Sequence, residues 1–397
     1  MEILHVIDDL DPAHGGPQSV VVRLAAAQAA HGADVGLASY SPAHIVSQAT
    51  AGIPGIERVA ISVLGAERAW TELICSQAAR ILSSRIGSSD IVHLHGVWEP
   101  LLLRASHLAR RKDVPYAISP HGMLDPWSLG QKRAKKSAAL KLGFRAMLNN
   151  AAFIHTLNQD ESRLLAPLQL TAPTRTIPNG IYMEEVDRFA RRGHFRSRFP
   201  DIGPDPYILF LSRLHPKKGL NVLADAFAML KQRRPDIRLV VAGPDAGALS
   251  SFRTIILAHE IEDAVHVVGP LYGAAKFEAL ADAACFCLPS YQEGFSVAIT
   301  EALACATPVV ISEQCHFPEV RTIQAGRVLP LSAQAFADGL YDVLADRNKA
   351  RAMGELGRRF VAENLTWDKI AAQSLAIYES HRSSTHPTAT GIVSATN

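Results

Sequence analysis

The sequence predicts an α/β protein made of two doubly wound, Rossmann-like domains. Three observations carry this. The chain has 397 residues, and at about 150 residues per domain that length calls for at least two. Hydrophobic residues are 48 % and charged residues 20 %, the profile of a globular protein with large cores. Short β-rich apolar runs also alternate with helical patterns along nearly the whole chain, which implies parallel strands joined by crossover helices. Disorder as the main state, a disulfide scaffold and a collagen-like fibre are excluded.

In the first half, Ile3–Ile7, Val35–Ala38, Ile91–Leu94, Tyr116–Ser119 and Phe153–Thr156 read as buried strands. Helical patterns at Ser19–His31, Thr71–Arg85, Leu101–Arg111 and Ser128–Asn149 separate them. The second half repeats the alternation with strands at Tyr207–Leu211, Arg238–Ala242, Val265–Val268, Cys285–Leu288 and Pro308–Ile311. Its helices are expected at Leu220–Lys231, Ala248–Glu260, Ala274–Ala283 and Val297–Ala304. Met183–Pro206 is rich in arginine, lacks apolar periodicity and ends in Gly-Pro-Asp-Pro, so it reads as the link. The expected domains are therefore residues 1–182 and 183–366, and 383–397 reads as a small, polar, disordered tail.

Lys and Arg total 40 against 38 Asp and Glu, a formal charge of +2. Nucleic-acid binding as the principal task needs a basic surplus and is disfavoured. The five cysteines are odd in number and form no C-x-x-C, which fits a reducing compartment. No apolar run reaches the ~18 residues of a membrane span, and the N-terminus enters a strand without a signal-peptide pattern. A cytoplasmic location is expected.

Open parallel sheets bind ligands outside the carboxyl ends of their strands, and two facing domains bring both sets of ends to one cleft. Residues that follow strands are therefore the candidates. After Leu211 come Ser212-Arg213-Leu214, then Lys217-Lys218-Gly219 before the next helix. Arg213 and Lys218 supply a planar fork and a point charge near a helix N-terminus, which suits a diphosphate. A solvated basic loop is the alternative. After Leu288, Glu293 sits in a turn and Glu301 about two helical turns on, with Gly294 permitting close backbone approach and free N–H groups at 295–297. Such carboxylates can each accept hydrogen bonds from a vicinal diol. Otherwise Glu293 is a helix-start residue favoured by the dipole and Glu301 a surface residue.

These elements resemble the retaining GT-B glycosyltransferases of glycosyltransferase family 4, the group 1 transferases. The E-x7-E motif matches Glu293–Glu301, and the upstream Arg and Lys match Arg213 and Lys218. The N-terminal glycine loop matches His14-Gly15-Gly16-Pro17, and Ser119-Pro120-His121-Gly122 resembles the first-domain histidine segment. The resemblance implies a GT-B fold, with helix 367–382 crossing back onto the first domain. It implies that Arg213 and Lys218 hold the donor diphosphate, that Glu301 takes the ribose, and that Glu293 takes the transferred sugar. Gly294 and the Phe295 and Ser296 amides would lie near sugar and phosphates, Gly15 and Gly16 would admit the phosphates closely, and His121 would contact the sugar. Two departures stand out: Ala306 and Ser296 occupy positions where many relatives have glycine.

The function so implied is transfer of a hexosyl unit, with retention, from a UDP- or GDP-sugar to a glycan or lipid-linked acceptor in cell-surface polysaccharide or glycolipid synthesis. No obligatory metal or other cofactor is expected, because Arg213, Lys218 and helix N-termini can stabilise the leaving diphosphate. A nucleotide-sugar epimerase of similar fold and a non-enzymatic sugar-binding subunit are the alternatives. Asp9-Leu10-Asp11 spells D-x-D, but a loop-capping role is favoured there; His93-Leu94-His95 puts two imidazoles on one strand face with no third metal ligand evident from spacing. Residues 129–148 carry Lys132, Arg133, Lys135, Lys136, Lys141 and Arg145 among Leu129, Leu140, Leu142, Phe144, Met147 and Leu148. This basic amphipathic segment reads either as a peripheral contact with anionic membrane or as a solvated helix face.

Overall fold

The computed structural model describes residues 1–65 and 77–382. Two compact units divide the chain. Unit one comprises Met1–Thr156, Ser162–Ile177 and the chain from Ala371; unit two comprises Leu157–Glu161 and Pro178–Ile370.

Unit one is a seven-stranded sheet of β1 (Glu2–Ile7), β2 (Asp34–Ser39), β3 (Val59–Val63), β4 (Ile91–His95), β5 (Tyr116–Ser119), β6 (Phe153–Thr156) and β7 (Thr174–Thr176). Its spatial order is β3-β2-β1-β4-β5-β6-β7, and all pairs are parallel. Unit two is a six-stranded sheet of β8 (Tyr207–Leu211), β9 (Arg238–Ala242), β10 (Val265–Gly269), β11 (Cys285–Leu288), β12 (Val309–Ser312) and β13 (Gly326–Leu329). Its order, β10-β9-β8-β11-β12-β13, is again parallel throughout. The doubly wound fold expected from the sequence is present in both units. In each, the order reverses between the first strand and its neighbour on the other side, β1/β4 and β8/β11, the place where open α/β sheets take ligands.

The central strands are buried on both faces because helices cover both, so they read as continuous apolar runs. Phe210, Phe227, Phe286 and Phe336 fill the second core. Cys285, Cys287, Cys305 and Cys315 are buried free thiols, and burial pushes the Cys305 and Cys315 thiols up to about 12. They pack rather than react.

Several expectations change. Strands β3, β7 and β13 are additional to those read from the sequence. Met183–Pro206 is not a bare link: helices Met183–Phe189 and His194–Arg198 form there, and Val186, Phe195 and Ile202 enter the second core. The passage into unit two comes at Pro178 rather than at 183, because Ile181 bridges Thr366 and Gly180 lies against Trp367 so closely that a Cβ would sit 2.7 Å from its ring. Helix Trp367–His381 joins unit one from Ala371, where Ser374 bonds Gln28 and Tyr378 bonds His93. The single basic helix expected over Ser128–Asn149 is broken into Pro126–Gly130, Arg133–Ala139 and Arg145–Asn149. Gly143, at φ 119°, interrupts it and leaves Leu142 78 % exposed, while Phe144, Met147 and Leu148 turn inward. The start of the helix expected at Thr71, and the tail 383–397, lie outside the described residues. Ala306 takes the left-handed conformation, φ 56°, which a glycine would adopt with less strain.

Candidate functional site

The two loops that leave β8 and β11 are laced together at the reversal point of the second sheet. Leu214, 1 % exposed, anchors the first loop by pairing with the chain at Pro244 and Asp245. A short turn at Pro216–Lys218 follows, in which His215 Nδ1 accepts the Lys217 amide at 3.1 Å. Gly219 then passes the second loop so closely that a Cβ would lie 1.8 Å from the Pro289 carbonyl oxygen, and its φ of 71° is left-handed as well. Only glycine fits there. The Tyr291 amide donates to the Lys217 carbonyl at 2.7 Å, completing the lacing.

This geometry forces Lys218 inward. Lys218 is 8 % and Glu293 6 % exposed, and Lys218 Nζ donates to Glu293 Oε1 at 2.5 Å. Ser290 Oγ donates to the same oxygen at 2.6 Å, and the Glu293 amide donates to the Gln314 carbonyl at 3.0 Å. A buried ion pair is tolerable only when hydrogen bonds of this kind complete it. Arg213 is the opposite case: it is exposed, its carbonyl accepts the His215 amide at 2.8 Å, and its guanidinium has no hydrogen-bond or ion-pair partner among the described residues. The basic field of the loop registers on His215, whose pKa is held below the ordinary value by burial, then by Lys217, Arg213 and Lys218.

Helix Val297–Ala304 opens without a side-chain cap at Ser296. The amides of Phe295, Ser296, Val297 and Ala298 have no acceptor among the described residues, so a helix N-terminus with its partial positive charge stands open beside Lys218 and Glu293. Asn158 pins the approach by donating Nδ2–H to the Gly294 carbonyl at 2.7 Å. Glu301, 8 % exposed, lies farther along the helix and takes Lys276 Nζ at 2.5 Å on Oε1. The arrangement combines a cation and open amides for an anion with two carboxylates for hydroxyls. Lys276, Ser290 and Asn158 were not singled out from the sequence. Asn158 follows β6 by two residues, so the strand-end rule could have found it; the lysine and the serine carry no comparable signal.

Gly15, Gly16 and His121 lie in unit one. Gly15 takes φ 141°, and helix Gly16–Ala30 follows it. A Cβ on Gly16 would meet nothing within 4 Å, so no packing inside the unit requires a glycine there. The D-x-D acids cap their loop: Asp11 accepts the Ala13 amide, and Asp9 accepts the Asp11 amide and pairs with His14. Burial raises the Asp9 pKa, but the bonds to His14, Asp11 and Ser41 bring it below the usual range. His121 holds a left-handed φ of 51° and contacts His95, with Nε2 at 3.2 Å from Nδ1. The third imidazole beside His93 and His95 comes from β1, because its register places His5 opposite His93; ligand atoms of the three lie within 4.8 Å of one another. Their ring nitrogens are engaged in hydrogen bonds with Gln28, Ser119, Tyr378, His121 and one another. Burial holds His5 and His155 down to about 4 and His121 to about 3. All three are neutral at pH 7.

Both halves of the chain match known glycosyltransferases. Residues 15–180 match the model of the glycosyl transferase 4-like domain, and residues 194–360 match that of the glycosyl transferases group 1. The chain is 33 % identical over 215 residues to a phosphatidyl-myo-inositol mannosyltransferase of Mycobacterium tuberculosis, a match covering 51 % of this chain and about half, 53 %, of that relative. It is 30 % identical over 302 residues to a GDP-mannose-dependent alpha-(1-6)-phosphatidylinositol monomannoside mannosyltransferase of Mycolicibacterium smegmatis, covering 71 % of this chain and 75 % of the relative. The structure of Anabaena Alr3699/HepE in complex with UDP and glucose superposes with a TM-score of 0.75 at 17 % identity, over 96 % of this chain and all of that one. With the GT-B fold present and both halves of the chain matched, the protein belongs to the group 1 glycosyltransferases.

Proposed function

We propose that the protein transfers a mannosyl unit from GDP-mannose to a hydroxyl of a lipid-linked acceptor, with retention at the anomeric carbon and without an obligatory metal. The observation that carries this reading is the open helix N-terminus at 295–298 beside the buried Lys218–Glu293 pair. Arg213, whose guanidinium has no partner among the described residues, and Lys218 neutralise the departing diphosphate, and the open amides receive its oxygens. Glu293 orients the transferred sugar. Its Oε1 is already held by Lys218 and Ser290, which favours an orienting carboxylate over a covalent nucleophile, so the acceptor attacks on the face the phosphate leaves and the phosphate takes its proton. Glu301 receives the ribose hydroxyls, and His121 bonds a sugar hydroxyl while remaining neutral. Mannose and guanine as donor parts are supported by the names of the sequence relatives.

No helix among the described residues is long and apolar enough to cross a membrane. Peripheral binding at the cytoplasmic face through residues 129–148 is part of the proposal, and exposed Leu142 beside Lys141 supports it. The test is a panel of GDP- and UDP-sugars, with products analysed with and without lipid-linked acceptor. Acceptor-dependent release of GDP from GDP-mannose is expected, in the presence of EDTA as in its absence. Turnover of a donor without any acceptor would favour an epimerase, and turnover of no donor would favour a binding subunit.

A further inference from the structure

The imidazoles buried in unit one are joined in a hydrogen-bond chain that has a direction, and the direction is set at the C-terminal helix. Ser374 Oγ donates to the Ala371 carbonyl at 2.8 Å, so it accepts from Gln28 Nε2 at 2.8 Å. That turns Gln28 Oε1 toward His5 Nε2, 2.7 Å away. An amide oxygen only accepts, so His5 carries its proton on Nε2 and leaves Nδ1 as a lone pair. His95 Nε2, at 2.9 Å, must donate into that lone pair. The Nδ1 of His95 is then bare, and His121 Nε2 donates to it at 3.2 Å. A neutral imidazole has one donor and one acceptor, so each ring passes the direction to the next. Gln28, His5, His95 and Ser374 are at most 3 % exposed, and burial keeps the rings neutral. His121 Nδ1, at the far end, has no partner among the described residues.

We propose that Ser374, Gln28, His5 and His95 are positioning residues that lock His121 in its Nε2–H tautomer, so that Nδ1 is offered as a hydrogen-bond acceptor to a substrate hydroxyl. The functional half rests on His121 contacting the sugar, as proposed above. The tautomer itself does not. The left-handed φ of 51° at His121, followed by φ 74° at Gly122, aims the ring from a strained backbone, a feature that concentrates at functional sites. A second chain runs alongside without reaching His121: Tyr378 Oη bonds His93 Nδ1 at 2.6 Å, and His93 Nε2 lies 2.7 Å from Ser119 Oγ. Its Tyr378 end also interacts with Gln28, so only its Ser119 end is clear of the anchor. That Ser119 end provides an internal control within the same unit.

The experiment is long-range proton–nitrogen correlation NMR on the full chain labelled with nitrogen-15 histidine, which distinguishes a bare ring nitrogen from a protonated one. In the wild type, His5, His95 and His121 are each expected to carry the proton on Nε2. Gln28→Leu removes the anchor. The forward chain would then bury an unbonded N–H at His5, whereas the reversed chain leaves only a lone pair there, the lesser defect. His121 is therefore expected to shift to Nδ1–H in that variant. Turnover should fall about tenfold, the equivalent of one neutral hydrogen bond, with nucleoside diphosphate affinity unchanged. Ser374→Ala, which loosens the anchor without emptying it, should give a mixture of tautomers and a smaller loss; it serves if Gln28→Leu fails to fold. Ser119→Ala, which removes only the far partner of His93, should leave the His121 spectrum as it is. A wild-type His121 protonated on Nδ1, or a His121 proton that stays on Nε2 in both anchor variants, overturns the proposal. A tautomer shift with full turnover overturns its functional half. Because the spectrum needs no substrate, a wild type without transferase activity would strike the reading of function and leave the tautomer lock to be judged on its own.

Discussion

At the carboxyl edge of the first sheet and around it, His5, His93, His95, His121 and His155 are held as uncharged rings; at the equivalent edge of the second, Lys218 and Glu293 are buried as an ion pair. The topology of the two edges is alike. Their polar chemistry is not, and the difference shows two ways of keeping polar groups away from water. A neutral imidazole both donates and accepts, so a row of them satisfies itself at the cost of ordering its protons. An ion pair loses the hydration of two charges and recovers it only through close geometry and added hydrogen bonds. The first edge should therefore be sensitive to pH, and the second to substitution.

Acid gives the largest expected contrast. The folded pKa values of His5 and His155, about 4, and of His121, about 3, lie below the ordinary 6.5. Between those values the unfolded chain binds protons that the folded chain refuses. Stability from these groups is complete above about pH 6.5 and is lost as the pH falls toward 4. Each histidine contributes about 1.4 kcal/mol for every tenfold difference in proton affinity between the unfolded and folded chain. All three lie in unit one, so the loss falls there. Hydrogen exchange read by mass spectrometry at pH 7 and pH 4.5 should show β1, β4 and β5 losing protection before β8 and β11. Equal loss in both sheets would remove the distinction.

Substitution should reverse the contrast. Lys218→Ala leaves Glu293 buried without its cation, and the expected destabilisation is about 3–5 kcal/mol by urea denaturation. The double variant Lys218→Met, Glu293→Gln removes both charges and should recover most of that loss while remaining inactive. A single-variant loss below about 1 kcal/mol would mean that solvent reaches the pair.

How much of this was legible in the sequence follows from the same physics. Central strands such as Tyr207–Leu211 and Cys285–Leu288 are buried on both faces, so their apolar runs announce them. Strands β3, β7 and β13 lie at sheet edges and are only half-buried, so Thr174-Arg175-Thr176 gives no apolar run to read. The helices in Met183–Pro206 are short, and each hides a single large apolar side chain, Val186 or Phe195, too few to make a period. Motif positions after β8 and β11 were readable because loops that follow strands carry the polar residues. Their pairings were not: Lys218 and Glu293 are 75 residues apart, and Asn158 and Gly294 are 136. Such pairings are products of sheet order. Even the third histidine, His5, becomes a neighbour of His93 only through the β1–β4 register.

Within the second edge, Arg213 separates function from folding. It shares the diphosphate with Lys218 in the proposed mechanism, yet it is exposed and its guanidinium is without partners among the described residues. Arg213→Ala should leave urea stability within about 0.5 kcal/mol of wild type. The activation barrier should rise by ~2–4 kcal/mol, as for the loss of one oxyanion donor, and Arg213→Lys should restore part of it, because an ammonium lacks the bidentate fork. Wild-type turnover in Arg213→Ala would remove the residue from the site.

The smallest effect concerns Lys276, and it refines the role of Glu301. Glu301 Oε1 is already held by Lys276, so a ribose would find one carboxylate oxygen committed and the other available. Glu301→Ala should weaken binding of the free nucleoside diphosphate by about 1.5–3 kcal/mol, the range for hydrogen bonds to a charged group. Glu293→Ala should leave that affinity nearly unchanged, since its partner in the mechanism is the sugar. Lys276→Met has two opposing consequences. It frees the second oxygen for the ribose, but it also releases the side chain from its fixed rotamer and removes a positive charge near an anionic ligand. The lysine side chain is 23 % exposed, so water screens its charge and the net change should stay below about 1 kcal/mol. The loss of orientation should prevail, giving about a threefold loss of affinity by calorimetry. Tighter binding in Lys276→Met would show instead that the lysine competes with the ribose for Glu301, and that the ion pair must open before the donor is held.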